Sequence, residues 1–388
     1  MGLDIRQLRK LAVQRLRNGE SVDSICISLG KSRQWLYKWA QRFDSGKPDW
    51  ADDASRRPHL VANRTTAETE ELIKQLRESL QNRDMFSGAQ AILWEMEDLG
   101  IKPLPSVRSI NRIIVRNGLK QRADRYKPKG TLYPVLPSQL PNQTHQADFV
   151  GPRFLSGPTR FYSLNIVDTA TVRCCIHPSS GTATQTVLEG VWSAWQRIGI
   201  PQRIQVDNAL CFFGSRRYPR GMGALIRMCL LHGVEPWFIP QAEPWRNGMV
   251  EKFNERYQQR FLGKTEMKSM DELKQCSHSF EQRHNSSYRY SKLNGNTPLK
   301  ALAKSGVKLR FPEKEEPPRH PLAKPVTGRY HLVRLIRSDR IIDIFGERFR
   351  VPPETQYQYV VATVDVHEQK LKLYLDKLQI EEFDYKLR

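Results

Sequence analysis

Gln146-Ala147-Asp148-Phe149-Val150-Gly151 sets one carboxylate inside an apolar, strand-forming run, and that placement decides how the rest of the chain is read. Two further segments resemble it in kind. Val206-Asp207-Asn208 ends a second β-forming stretch, and Asn247-Gly248-Met249-Val250-Glu251-Lys252-Phe253-Asn254 opens a helix with an acid in its first turn. Three such carboxylates, brought to one sheet edge, would repel one another unless hard divalent cations neutralised them. All-oxygen donors suit Mg²⁺ or Mn²⁺ rather than zinc. Sites of this kind handle phosphates, and with Lys+Arg 62 against Asp+Glu 41, a net charge of +21, the polyphosphate partner is nucleic acid.

Outward from the acids, the chain is too long for one modest core and calls for several domains. Its 39% hydrophobic and 9% aromatic content is enough to build packed cores, which excludes wholesale disorder. No run of eighteen apolar residues occurs, and Met1-Gly-Leu-Asp-Ile-Arg-Gln is a charged helix start rather than a secretory segment, so a cytoplasmic protein without a membrane partner is expected. The six cysteines form no CxxC pair, which argues against a zinc knuckle or a disulfide framework. Basic residues outnumber acidic ones in each of the segments 1–142, 143–303 and 304–388, as suits a protein that meets DNA along its length.

Before the acids the sequence is helical. Ile5, Leu8, Leu11, Ala12 and Leu16 recur at helical spacing, Ser21 and Ser32 can cap the two segments that follow, and Gly30 makes the turn between them. Residues 1–46 therefore read as a helix-turn-helix domain whose third helix offers Arg33, Gln34 and Lys38 to a major groove, where Arg suits guanine and Gln adenine. A plain three-helix bundle with a solvated basic face has the same pattern. Residues 47–65 read as a linker in which Arg56 and Arg57 can lie in a minor groove. Residues 66–120 read as a second helix-turn-helix domain, its last helix carrying Arg108, Arg112, Arg116 and Lys120 four apart as a basic stripe. A basic linker follows over 121–142.

From 143 to 303 strands alternate with helices, the pattern of a mixed α/β domain. Residues 304–325 are rich in Pro and charge and read as a linker, and the short strands of 326–388 suggest a small β-barrel. Asp207-Asn208 could also be a simple strand-ending turn, and Glu251 a helix-start charge favoured by the dipole. Glu255, one turn beyond Glu251, is the rival for the third acid, and Asp168 near a strand end is a weaker one.

The ordered set Gln146-Ala-Asp148, Val206-Asp207-Asn208 and Asn247-Gly-x-x-Glu251 resembles that of bacterial insertion-sequence transposases in the retroviral-integrase superfamily, with their Asp-Asp-Glu core. The resemblance covers nearly the whole chain. It implies a multidomain protein: all-α helix-turn-helix domains, a central ribonuclease-H-like α/β integrase core, and a terminal barrel. It also implies metal-dependent cleavage at transposon ends followed by joining of the 3′-hydroxyl to target DNA. Asp148, Asp207 and Glu251 would then be the catalytic and metal-holding acids for two Mg²⁺ or Mn²⁺ ions, with Asp148 shared between them. Asn208 and Asn247 would orient the site and Lys252 would hold a phosphate. Double-stranded DNA from transposon ends and target is the implied partner, a homo-oligomer on DNA the implied assembly, and the bacterial nucleoid the implied location.

The chain also departs from the family pattern. Between Asp207 and Glu251 lie 43 residues, more than the family's common spacing, and the segment 214–223 looks like an insertion whose Arg216 and Arg217 can contact DNA. Ala209 stands where many relatives have glycine, and the zinc-binding His/Cys module of retroviral integrases is missing. Two other readings compete: a catalytically inactive DNA-binding repressor or assembly protein on a transposase scaffold, and a ribonuclease H acting on hybrids, which leaves the helix-turn-helix pair unexplained.

Overall fold

The computed structural model describes residues 4–53, 65–120 and 132–388. Arg56 and Arg57, and residues 121–131 of the basic linker, lie outside the described residues. The chain divides into two compact units, Met1–Thr65 and Thr66–Arg388.

In the first unit α1 (Ile5–Arg17), α2 (Val22–Leu29) and α3 (Arg33–Asp44) are opened by Asp4, Ser21 and Ser32, each with its side chain on the backbone of the first turn. Ala12, Ile25 and Leu36 form the core between them. The stretch 47–53, expected to be linker, packs back on this bundle instead. Buried Arg9 donates to Ala51 O at 2.7 Å with its guanidinium 3.9 Å from the Trp39 ring, and Trp50 sets its edge against Phe43 at 5.0 Å.

The second unit begins with α4 (Ala67–Asn82), α5 (Ala89–Asp98) and α6 (Val107–Arg116), which pack around Ile73, Ile92, Met96, Ile110 and Ile114. A mixed α/β body follows, with β1 (Thr144–Phe154), β2 (Arg160–Asp168), β3 (Cys174–Ser179), α7 (Thr184–Ile198), β4 (Arg203–Val206), α8 (Leu210–Phe213), α9 (Ala224–Leu231) and β5 (Glu235–Phe238). Next come α10 (Gly248–Tyr257), a π turn over Gln258–Leu262, α11 (Met270–Ser287) and α12 (Pro298–Ser305). The strands β1, β2 and β3 form an antiparallel meander, while β4 and β5 add in parallel beside β1.

Alternation along the strands assigns the two faces. Ala147, Leu164 and Ile166 point to the side of α7 and α9, where Val191, Trp195 and Leu225 are buried. Val150, Phe161 and Val167 point to the other side, against Phe253, Tyr257 and Phe280 of α10 and α11. Asp148, two residues before Val150, thereby faces α10.

The terminal strands differ from the expected barrel. β6 (Arg329–Leu335), β9 (Tyr359–Asp365), β10 (Lys370–Leu375) and β11 (Leu378–Asp384) run antiparallel, and β6 pairs in parallel with β5 through Trp237 with His331 and Phe238 with Leu332. One open nine-stranded sheet results, in the order β11-β10-β9-β6-β5-β4-β1-β2-β3; β7 (Ile341–Ile344) and β8 (Glu347–Arg350) form a separate hairpin. The reason lies in β6 itself. Residues 330–334 are all buried, the signature of a central strand covered on both faces rather than of a barrel wall with one wet side. The segments on either side of the body are also anchored: Ile200 bridges to Arg310, and Thr144 Oγ1 donates to Pro137 O at 2.8 Å.

At the other edge, α11 completes β3 with side chains. Asn285 exchanges two 2.9 Å hydrogen bonds with the backbone of Cys174, and Glu281 accepts from Ile176 N at 2.7 Å. These polar groups occupy backbone positions that an exposed edge would offer to another strand.

Candidate active site

Asp148 projects from the middle of β1, Asp207 follows the last residue of β4, and Glu251 lies in the first turn of α10. Parallel pairing of β1 with β4 puts the first two on neighbouring strands. The third is brought in by the side chain of Gln146, whose Oε1 accepts from Met249 N at 2.9 Å and Val250 N at 3.2 Å. That residue of β1 thus caps the free amides of α10 and fixes the helix start over the strand. Buried Asn247 completes the joint: its Nδ2 donates to Ala147 O at 3.0 Å, and its Oδ1 accepts from Gln205 of β4 at 3.3 Å.

The acids share an electrostatic environment. Burial first, then the charge of Asp207 and more weakly that of Glu251, push the Asp148 carboxyl up to about 6, against opposing hydrogen bonds from Phe149 N and Asn254. Burial also raises Asp207, which accepts from Ala209 N at 2.9 Å, and it raises Glu251. Asp148 and Glu251 line one open cleft together with Arg153, Asn254 and Glu255; Asp207 lines a second recess with Asn208 and Arg216. Among the described residues no three Asp, Glu, His or Cys side chains are gathered closely enough to cage one ion. The donor set nonetheless fits magnesium, being all oxygen and carrying a repulsion that a divalent cation would relieve.

Asn254, quoted in the sequence motif without a role, is the main group that reading missed. It sits one turn after Glu251 and donates from Nδ2 to Asp148 Oδ2 at 2.8 Å, while its Oδ1 accepts from Asn165 Nδ2 at 2.8 Å. Ser163 donates in turn to Asn165 Oδ1 at 3.1 Å. This buried chain fixes the rotamer of Asp148 from behind, and its i+3 spacing from Glu251 was the available signal.

The rivals separate clearly. Asp168 is fully buried and accepts from Thr171 N at 3.1 Å, Asn142 N at 3.1 Å and the Thr171 hydroxyl, with Arg173 at 3.8 Å; it holds the β2–β3 turn. Glu255 is exposed in the Asp148 cleft and accepts from Gln259 at 3.1 Å.

The basic residues are distributed differently from the acids. Arg33, Gln34 and Lys38 are exposed on α3, with Arg33 paired to Asp23. Arg108, Arg112, Arg116 and Lys120 are all exposed, and Arg116 is paired with Glu70 of α4. Arg216 joins the Asp207 recess, Arg217 is exposed beside it, and Lys252 is exposed on α10 next to Glu251. Their segment is tied to the terminal strands by Arg220, which makes two hydrogen bonds to Glu347 at 2.9 and 2.6 Å, and by Tyr385, which donates to Pro219 O at 2.9 Å.

Residues 9–71 match the winged helix-turn-helix family, and residues 232–298, which contain α10 and Glu251, match the integrase core domain family. Distant likeness extends to solved structures. The HTLV-2 integrase catalytic core domain in complex with magnesium, in its trimeric form, is 15% identical with a TM-score of 0.34, covering 43% of this chain and 99% of its own. The simian T-cell lymphotropic virus intasome in complex with PP2A regulatory subunit B56 gamma is 15% identical with a TM-score of 0.36, covering 80% of this chain and 97% of its own. These matches mark one helix-turn-helix segment and one integrase-core segment within the chain. Its integrase core domain supports a function of the DNA integration or transposition type, and its helix-turn-helix region supports DNA binding. Among the described residues no helix is long and apolar enough to cross a membrane.

Proposed function

We propose that this chain is a DNA transposase that cleaves at the ends of a mobile element and joins the freed 3′-hydroxyl to target DNA, with Asp148, Asp207 and Glu251 as its essential acids. The observation that carries this reading is the Asp148 carboxylate, raised first by burial and then by the charges of Asp207 and, more weakly, Glu251, although the three acids come from separate elements. A buried, hydrogen-bonded carboxylate held against two like charges has little value for stability, and polynucleotidyl transfer gives it a use.

The chain's own groups divide the work. Asn254 orients Asp148, while Gln146 and Asn247 hold α10 and therefore Glu251 in register with β1. Asn208 fixes the turn after Asp207 by donating to Ile239 O at 2.6 Å. Arg216, in the recess of Asp207, and Lys252, next to Glu251 in sequence, would hold phosphates of the strand being cut. Two magnesium ions held by the three acids would supply activation of the attacking oxygen and neutralisation of the leaving one. Two ends must be joined together, so the protein works as a homo-oligomer on DNA, at the nucleoid of a bacterial cytoplasm.

The test is incubation of the full chain with Mg²⁺ and duplex DNA carrying the flanks of its native locus. Nicks that leave a 3′-hydroxyl and joined products, both lost in Asp148→Asn, are the expected result. Sequence-specific binding with neither nicking nor joining would instead identify a repressor built on the same scaffold.

A further inference from the structure

A pocket of about 600 Å³ lies within the second unit, between the helices α4 to α6 and the far side of α10. Its walls carry Arg77, Lys120, Arg256, Arg260, Arg289 and Lys292, and among the described residues no Asp or Glu lines it. The helix that turns Glu251, Asn254 and Glu255 toward the acid cleft turns Arg256 the opposite way, and Arg260 follows on the π turn.

Apart from Lys120, these cations are held in place by carbonyls, hydroxyls, rings or, for Arg289, a carboxylate. Arg256 donates to Tyr290 Oη at 2.6 Å and lies 4.8 Å from the Phe86 ring, and Arg260 donates to Asp84 O at 2.7 Å and lies 5.4 Å from the same ring. Arg77 donates to the carbonyls of Ser87 and Leu119, and Lys292 to that of Thr169. Among the described residues, of these six only Arg289 hydrogen-bonds a carboxylate, that of Asp98, at 2.7 Å. Carbonyls and aromatic faces orient a guanidinium and leave its charge in place. Burial lowers both Arg77 and Lys292, in Lys292 against the opposing charge of Asp168.

We infer that this pocket is a phosphate site that takes a phosphodiester or pyrophosphate group of a nucleic-acid strand or nucleotide. Its size suits one such unit, roughly that of a small-ligand pocket, and not a duplex. On a DNA strand, the site would anchor the backbone on one side of α10 while the acid cleft works on the other. The inference rests on the proposed function only in taking DNA as a source of phosphate, and neither Mg²⁺ nor cleavage is needed to test it.

Binding of the full chain to labelled duplex and single-stranded DNA is measured by anisotropy at a series of salt concentrations, and binding of inorganic pyrophosphate by calorimetry. The double variant Lys120→Gln/Lys292→Gln is compared with Lys308→Gln/Lys324→Gln, which removes the same charge from exposed positions outside the pocket. For a strand phosphate, the slope of log affinity against log salt is expected to fall by about 2 in the pocket variant alone, near 0.9 for each lost duplex contact. Pyrophosphate binding weakened by about tenfold in the pocket variant, with the DNA slope unchanged, assigns the site to a free phosphate compound. If the pocket variant matches the control in both assays, or the wild-type chain binds neither ligand, the inference is overturned.

Discussion

Arg334 Nη2 donates to Asn208 Oδ1 at 2.9 Å, so a cation from the terminal strand β6 holds the residue that follows Asp207. The same guanidinium donates to Asp343 O at 3.1 Å and Ile239 O at 3.3 Å, and burial pushes it down to about 10, which leaves it charged at neutral pH. The terminal strands are in this way wired to the acid site. Arg334→Met removes donors from four acceptors, Val333 O among them, that water reaches poorly. Urea unfolding is expected to show a loss of roughly 2–4 kcal/mol. Arg334→Lys, which keeps the charge on a single nitrogen, is expected to restore only part of it. A Met variant as stable as the wild type would disconnect the strand from the site.

Asp148 gives a second prediction through linkage. Its folded carboxyl sits at about 6, above its ordinary value of 3.8, so the folded chain binds the proton more tightly than the unfolded chain. This contribution to stability is fully present below the unfolded value and is lost as pH rises through about 6. Without divalent cations at pH 7.5, Asp148→Asn is therefore expected to be more stable than the wild type by on the order of 2 kcal/mol. Mg²⁺ should raise the wild-type melting temperature and leave that of the variant nearly unchanged, and the wild-type response should fade below pH 6. A variant that melts lower than the wild type in EDTA at pH 7.5 would show that the carboxylate is not strained by its neighbours.

Local signals carried a good part of this architecture. Ser21 and Ser32 marked helix starts by capping chemistry, and the acids of Gln146-Ala-Asp148 and Asn247-Gly-x-x-Glu251 announced a strand and a helix start by their apolar neighbours. What escaped depended on partners remote in sequence. α11 has the capping pair Ser269 and Glu272, but its inward positions include Ser277, Glu281, His284 and Asn285, so hydrophobic spacing alone does not reveal it. Glu281 and Asn285 are buried because they partner the edge of β3, whereas Ser277 meets Tyr257 Oη and His284 meets Val172 O. β6 likewise looks like any short strand, and only its pairing with β5 turns the expected barrel into a sheet extension. Arg116 illustrates the same limit: a stripe at spacing of four cannot show that Glu70, 46 residues earlier, pairs with one of its members.

The edge device of α11 is itself testable. Glu281 is buried, accepts from Arg197 Nη1 at 2.8 and 2.6 Å, and accepts from Ile176 N at 2.7 Å. Removing one partner of a buried pair leaves the other charge stranded, so Glu281→Ala is expected to cost roughly 3–5 kcal/mol in chemical denaturation. Arg197→Met combined with Glu281→Leu should recover much of that loss, because neither charge then remains. A double variant no better than the single one would place the importance of Glu281 in its hydrogen bond to the strand rather than in the ion pair.

Glu251 and Glu255 both face the Asp148 cleft, and only their relation to Asp148 separates them. Glu251 acts on the Asp148 carboxyl through its charge and is itself raised by burial, whereas Glu255 is exposed and engages Gln259. Glu251→Gln removes one of the charges that raise Asp148 while keeping size and hydrogen-bonding capacity. It is expected to lower strand nicking by about a hundredfold or more, the scale seen when one preorganised charge partner is lost from an active site. The Asp148 carboxyl should move downward at the same time, readable as a shift of the metal-free stability profile to lower pH. Glu255→Gln should leave both the profile and, within about threefold, the nicking rate unchanged, because exposed charges couple weakly through water. The reverse pattern would make Glu255 the third acid and would place the metal one helical turn further along α10.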